Sequence, residues 1–70
     1  MVFKKAKMLA RVEKEGLLHL VDDEAITIMD KLDGREAKKN DFKALVYDQE
    51  EYYVTTEDGE NYPVNKLDCE

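Results

Sequence analysis

A repeat at an offset of 35 residues, half the length of the chain, constrains the fold more than any other feature of this sequence. The offset superposes residues 26–33 on residues 61–68 and gives five identities over 35 aligned positions. The identical pairs are Glu15 and Glu50, Asp23 and Asp58, Lys31 and Lys66, Leu32 and Leu67, and Asp33 and Asp68. Such a repeat predicts one supersecondary unit used twice, over residues 1–35 and 36–70.

The size and the cysteine content limit what kind of protein this can be. Seventy residues predict a single domain, 1–70, near the lower size limit for a chain that folds on its own core. A homodimer would be one way of adding buried area. Cys69 is the only cysteine, and no apolar run is long enough for a membrane helix. The sequence therefore predicts a cytoplasmic protein without a membrane partner.

The charge is distributed unevenly between the two halves of the chain. Residues 1–35 carry seven basic and seven acidic residues, whereas residues 36–70 carry four basic and ten acidic ones, so the second half accounts for the net charge of −6. Because phosphate binding needs clustered cations, this acidity argues against a nucleic-acid backbone as the main partner.

The first half reads as a hairpin followed by an ambiguous segment. Apolar and charged residues alternate over 5–13, which predicts a strand, and Lys14–Gly16 is typical of a three-residue hairpin loop before a strand over 17–21. The β-branched run Ile26–Ile28 and the repeat favour a strand over 25–29. An acidic N-cap, an apolar stripe and Gly34 at the end would instead fit a helix over 23–33.

The second half carries the sharper hairpin signal. Asp58-Gly59 between two strand-like runs predicts a two-residue turn, which would pair Thr55 with Tyr62, Val54 with Pro63 and Tyr53 with Val64. A further strand is predicted at Phe42–Asp48. Together the two halves predict a mainly β fold, a six-stranded small barrel or rolled antiparallel sheet made of two meanders. The alternative is an α+β fold with the 23–33 helix on the sheet.

The sequence shows no arrangement of residues that is typical of an enzyme. It contains no serine, and His19 and Cys69 lie in different halves without a supporting motif. The carboxylates do not follow the ligand spacing of a calcium loop, and the three glycines are isolated. We therefore predict no catalytic residue, no cofactor and no metal.

The strongest functional indication is aromatic. In the predicted registers Tyr47, Tyr53 and Tyr62 project from one outer face of the sheet, beside the acidic residues Glu57, Asp58 and Glu60. Tyrosine combines rigid apolar area with a polar tip and is enriched in binding surfaces. The sequence therefore predicts a non-catalytic module, in the style of a bacterial or phage accessory protein, that binds a protein partner or its own copy through this surface.

Two other functions remain open. The first is an inhibitor that imitates nucleic acid, in which the acidic side chains of the second half stand in for phosphates. These are Glu50, Glu51, Glu57, Asp58 and Glu60. The second is a small barrel that binds nucleic acid weakly through its basic first strand, with aromatic rings as stacking platforms. The cations of that strand are Lys4, Lys5, Lys7 and Arg11.

Overall fold

The described part of the chain is a small α+β fold. A computed structural model describes residues 1–40 and 52–70. These residues form two helices and one open three-stranded antiparallel sheet of strand order β1-β2-β3. The elements are α1 (Lys5–Lys14), α2 (Asp23–Leu32), β1 (Ala37–Lys39), β2 (Tyr52–Thr55) and β3 (Asn61–Val64), with 3₁₀ turns at Leu18–Leu20 and Lys66–Asp68. The prediction of a mainly β fold with a six-stranded barrel is therefore wrong.

The first predicted strand is the helix α1. Its ten residues, KAKMLARVEK, contain a single β-branched residue, Val12, and otherwise consist of strong helix formers. Val12 is also the residue of α1 that is buried, while Met8 and Leu9, four and three positions earlier, are half-buried. These positions have the spacing of one helix face. Over a segment this short, the same apolar residues also fit the period-2 alternation of a strand, so the pattern does not distinguish a helix from a strand.

The predicted hairpin loop at Lys14–Gly16 is the C-terminal cap of α1. The Gly16 N–H donates to the Glu13 carbonyl at 3.0 Å, and the Leu17 N–H donates to the Val12 carbonyl at 3.0 Å. These two bonds form a Schellman motif, which needs the positive φ of +73° that Gly16 adopts. Residues 17–21, predicted as a strand, contain the first 3₁₀ turn instead.

The helix α2 occupies the range in which the sequence left strand and helix open, and the preferred strand at 25–29 is wrong. Asp22 is the N-cap, and its carboxylate accepts from the Ala25 N–H at 2.8 Å. Met29 and Leu32 are buried, and Ala25 and Ile28 on the same stripe are half-buried. The cap and the 3.6-residue period therefore outweigh the strand propensity of the Ile26–Ile28 run.

The two segments that the repeat superposes have different structures. Residues 26–33 lie in α2 and its C-terminal end, whereas residues 61–68 form β3 and the second 3₁₀ turn. A shared sequence pattern of five identities therefore does not produce a shared β-meander. The strand predicted at Phe42–Asp48 lies outside the described residues.

The β2–β3 hairpin exists, but its register differs by one residue from the predicted one. Its loop is Glu57-Asp58-Gly59, because Thr56 donates its N–H to the Glu60 carbonyl at 2.8 Å. The Gly59 N–H donates to the Thr56 carbonyl at 3.0 Å, and Gly59 has a φ of +85°, as in a type I turn followed by a bulge. The strand pairs are consequently Val54 with Tyr62, Tyr53 with Pro63, and Tyr52 with Val64.

The register decides which residues face the helices. Val54 is fully buried and pairs with Ala37 on one side and Tyr62 on the other, so these three residues share the inner face. The core cluster consists of buried residues from five separate parts of the chain. They are Phe3, Leu32, Ala37, Val54 and Cys69. Tyr53 and Pro63 lie on the opposite face of the sheet, because neighbouring strand residues alternate.

The two ends of the chain meet beside the sheet in a structure that we call the terminal clasp, made of residues 1–4, 34–37 and 68–70. The extended residues 1–4 lie between the other two segments. Val2 and Glu70 exchange two backbone hydrogen bonds of 2.9 Å. Phe3 donates to the Arg35 carbonyl and accepts from the Gly34 N–H, both at 2.9 Å. The clasp thereby holds Phe3, which is 2% exposed, in the core.

Neither helix of the described residues has the length and apolar character needed to cross a bilayer.

Candidate functional site

The tyrosines predicted to share one face do not do so. Tyr53 lies on the outer face of the sheet and Tyr62 on the inner face, because the register is shifted by one residue. Both side chains are half-buried. Tyr47 lies outside the described residues. Tyr53 and Tyr62 therefore cannot belong to one aromatic surface on the same face of the sheet.

Tyr62 instead borders an open apolar groove between the two helices and β3, which we call the Tyr62 groove. The groove has a volume of about 860 Å³. Its apolar lining comes from the clasp, the two helices and β3, chiefly Phe3, Met8, Ile28, Met29, Tyr62 and Val64. Met8, Ile28, Tyr62 and Val64 pack against the core cluster while remaining partly exposed. The core is thus accessible from this side rather than closed over.

The rim of the groove at Tyr62 is acidic. The Tyr62 hydroxyl donates to the Glu60 carboxylate at 2.6 Å. This hydrogen bond raises the pKa of Tyr62 above its ordinary value, followed in effect by partial desolvation and by the negative charges of Glu60, Asp58 and Glu24. The carboxylates that act on the hydroxyl flank this end of the groove, Asp58 being paired with Lys31, while the groove lining itself contains the cations Arg11 and Lys66.

The far wall of the groove contains a buried ion pair. Arg11 donates from Nε to Asp68 Oδ1 at 2.6 Å and from Nη2 to Oδ2 at 3.1 Å. The Asp68 side chain is 1% exposed and that of Arg11 is 25% exposed. The hydrogen bonds to Asp68 raise the pKa of Arg11, against the opposing effect of partial burial. This bidentate pair joins α1 to the C-terminal 3₁₀ turn, and Arg11 Nη1 also lies 3.6 Å from the carboxylate of Glu15.

The ion pair between Arg11 and Asp68 is not predicted by any pattern in the sequence. Arg11 and Asp68 are 57 residues apart, and neither stands in a motif. The sequence patterns place Arg11 on a basic strand and Asp68 in the repeat. No local pattern connects the two residues, so only the folded chain shows that they pair.

The acidic residues of the hairpin loop are already engaged within the chain. Arg35 forms an ion pair with Glu57, and Lys31 lies 3.6 Å from Asp58. Both carboxylates are exposed, so each pair contributes little to stability. The pairs nevertheless place a cation beside Glu57 and another beside Asp58, two of the carboxylates that a nucleic-acid mimic would use in place of phosphates.

The basic residues of the first segment are also used internally. Lys5 pairs with Asp30 on α2 at 2.5 Å, and Lys7 donates to the Cys69 carbonyl at 3.2 Å. Together with Arg11, these cations join α1 to α2 and to the clasp. They therefore do not form the free basic stripe that a nucleic-acid backbone would require.

His19 and Cys69 lie in contrasting environments. His19 is exposed on the first 3₁₀ turn, whereas Cys69 belongs to the core cluster, and burial raises the pKa of its thiol.

Among residues 1–40 and 52–70, no group of three or more metal-ligating side chains is close enough together to hold an ion. In the same ranges every buried side-chain nitrogen or oxygen has a hydrogen-bond partner.

Compared with known protein families, with curated proteins and with solved structures, the chain matches none. The function has to be argued from the groove and the surface of this fold.

Proposed function

We propose that this chain is a non-catalytic interaction module that binds an apolar segment of a partner protein in the Tyr62 groove. One observation carries the proposal: four side chains that pack against the core cluster remain open to the groove. They are Met8, Ile28, Tyr62 and Val64. Covering them would remove further apolar area from water, the main favourable contribution to association.

The charge around the groove defines the chemistry of the partner. Glu24, Asp58 and Glu60 act on Tyr62, and the whole chain has a net charge of −6. A partner segment with apolar side chains and a Lys or Arg beside Tyr62 is complementary to this rim. The same charge disfavours a second copy of the chain as occupant, because two acidic rims would repel each other.

The proposal retains Tyr62 and Glu60 from the predicted surface, and it removes Tyr53 from the binding site. Glu57 and Asp58 pair with Arg35 and Lys31, which favours a groove-binding module over a nucleic-acid mimic.

We place the protein in the cytoplasm, since an unpaired cysteine is typical of a reducing compartment.

A random peptide library displayed on phage tests the proposal. The full chain is immobilised, and bound peptides are selected and sequenced. We expect enriched peptides to combine several apolar residues with a net positive charge. Their binding should be weakened about tenfold by Tyr62→Ser, since the ring is lost from the groove wall.

Tyr53→Ser is the matched control, because it removes the same side chain from the opposite face of the same sheet. Tyr62→Phe, which keeps the ring, should retain most of the binding. Circular dichroism establishes that each variant is folded. Equal loss in the two serine variants, or enriched peptides that ignore Tyr62→Ser, would contradict the proposal. Amide chemical shifts of the wild-type chain give an independent check, since bound peptide should perturb Met8, Ile28 and Val64.

A further inference from the structure

The connection between α1 and α2 exposes three leucines within four residues. We call residues 17–20 the leucine loop. Leu17, Leu18 and Leu20 are 42%, 49% and 68% exposed. A single exposed leucine is ordinary on a protein surface, but adjacent ones form an apolar patch, and such patches mark interaction sites.

The leucine loop is held in one conformation by its own backbone. Leu20 donates its N–H to the Leu17 carbonyl at 3.0 Å, and Val21 donates to the Leu18 carbonyl at 3.1 Å. The Schellman motif at Gly16 precedes the loop, and the N-cap Asp22 follows it. Leu17 is the N-cap of the 3₁₀ turn Leu18–Leu20, and the leucines of both parts are exposed. A loop fixed in this way loses little conformational entropy on binding.

Acidic residues precede and follow the leucine loop in the sequence, and two of them already have partners: Glu15 pairs with Arg11, and Asp22 caps α2. Residues 13–24 contain five acids and one lysine, which is a balance of −4 out of the net charge of −6. All five acidic side chains are exposed, namely Glu13, Glu15, Asp22, Asp23 and Glu24. This collar repels a second copy of the loop and an anionic membrane surface alike. It is complementary to an apolar surface that is bordered by cations.

We propose that the leucine loop is a second docking surface, which binds an amphipathic, cationic segment of a partner protein. Its leucines cover the apolar face of the segment, and the acidic collar pairs with flanking Lys or Arg. The leucines of the loop do not line the Tyr62 groove, so the apolar contact proposed here is independent of the groove, although Glu24 belongs to the collar and also acts on Tyr62.

A synthetic amphipathic peptide of leucine and lysine at helical spacing serves as the probe, and a leucine and glutamate peptide of the same pattern is its counterpart. The labelled full chain is titrated with each peptide, and amide chemical shifts are recorded. We expect the lysine peptide to shift the amides of residues 17–21, and the glutamate peptide to leave them unchanged. Leu20→Ser should weaken binding of the lysine peptide about tenfold.

Leu67→Ser is the matched control, because Leu67 is 69% exposed but lies in another element, next to the clasp. It should leave the affinity unchanged. In the collar, Glu13→Gln with Asp23→Asn should weaken binding more than Glu36→Gln with Glu70→Gln, which lie in the clasp. The collar variant leaves the N-cap Asp22 unchanged.

Four outcomes would overturn the proposal. They are equal binding of the two peptides, shifts that avoid residues 17–21, concentration-dependent dimerisation that Leu20→Ser abolishes, and binding to phosphatidylglycerol vesicles through the loop. Shifts at Met8, Ile28 and Val64 alone would support the groove and contradict the loop, so the two proposals can fail separately.

Discussion

The two ends of α1 show how differently one small protein can treat its apolar residues. At the N-terminal end, the terminal clasp brings together three segments that are distant in the sequence and buries Phe3 and Cys69. At the C-terminal end, the leucine loop satisfies its backbone through bonds between neighbours, and its leucines stay exposed. Local backbone hydrogen bonds can therefore hold a loop whose side chains stay exposed. We therefore expect side-chain burial to contribute more to stability at the clasp than at the loop.

Truncating one apolar side chain at each end gives the strongest test of this difference. Phe3→Ala should lower the free energy of unfolding by about 4 kcal/mol, because it removes a buried ring and leaves a cavity. Leu20→Ala should change it by less than about 0.5 kcal/mol, since the side chain is mostly in water. Urea unfolding followed by circular dichroism measures both. Comparable losses in the two variants would mean that the loop is part of the core.

The ion pairs allow a second comparison between a buried and an exposed site. Asp68→Ala should cost about 3 kcal/mol, because Arg11 loses the carboxylate that balances it in a partly buried position. Glu57→Ala removes the partner of Arg35 on the surface and should cost less than about 0.5 kcal/mol. The same unfolding experiment gives both values. A small effect of Asp68→Ala would show that the clasp does not depend on this pair.

Cys69 reports on how tightly the clasp is closed. Burial raises the pKa of its thiol, so the folded chain contains less reactive thiolate at a given pH than the unfolded chain. Reaction with a disulfide reagent at pH 8 should be at least about tenfold slower in native buffer than in urea. Fast labelling under native conditions would indicate an open clasp.

The raised pKa also has a consequence for stability. Its contribution is fully present below the pKa of the unfolded thiol, and it is lost as the pH rises through the folded pKa. The wild-type chain should therefore lose more stability at alkaline pH than Cys69→Ala does. Parallel pH dependence in the two chains would contradict this assignment.

The helix N-termini give the smallest of the expected differences. Asp22 caps α2 with its side chain, whereas Lys4 at the start of α1 makes no side-chain cap. Asp22→Ala should cost about 1 kcal/mol, and Lys4→Ala should cost less than about 0.5 kcal/mol. Thermal unfolding of the two variants tests the difference. Equal shifts would mean that the cap contributes nothing beyond the charge of the first turn.

Parts of the fold could be read directly from the sequence, and others could not. The hairpin around Asp58-Gly59 was predicted, because a glycine between two strand-like runs is a local signal. Its register was not, because the loop has three residues rather than two, and Thr56 decides this by pairing with Glu60. The one additional loop residue shifts the register and moves Tyr62 from the outer face to the inner face. The predicted aromatic surface required Tyr62 on the outer face.

The candidate groove was only partly accessible to sequence reasoning. Tyr62 and Glu60 were singled out for their chemistry, and both lie at its rim. Met8 and Ile28 were assigned to strands, so their meeting across the helices could not be foreseen. The sequence pattern predicts a strand over residues 17–21, whereas the structure has a 3₁₀ turn with exposed leucines there.

The sequence alone indicated features that arise between near neighbours in the chain: chain reversals at Gly16 and Gly59, and an acidic N-cap with an apolar stripe as the alternative to a strand in the range of α2. Tertiary structure decided whether residues 5–14 form a helix, how β2 meets β3, and that Arg11 finds Asp68. The physical reason is the range of the interactions. Caps and turns are fixed by bonds between residues a few positions apart, whereas the core, the register and the clasp depend on residues that only folding brings together.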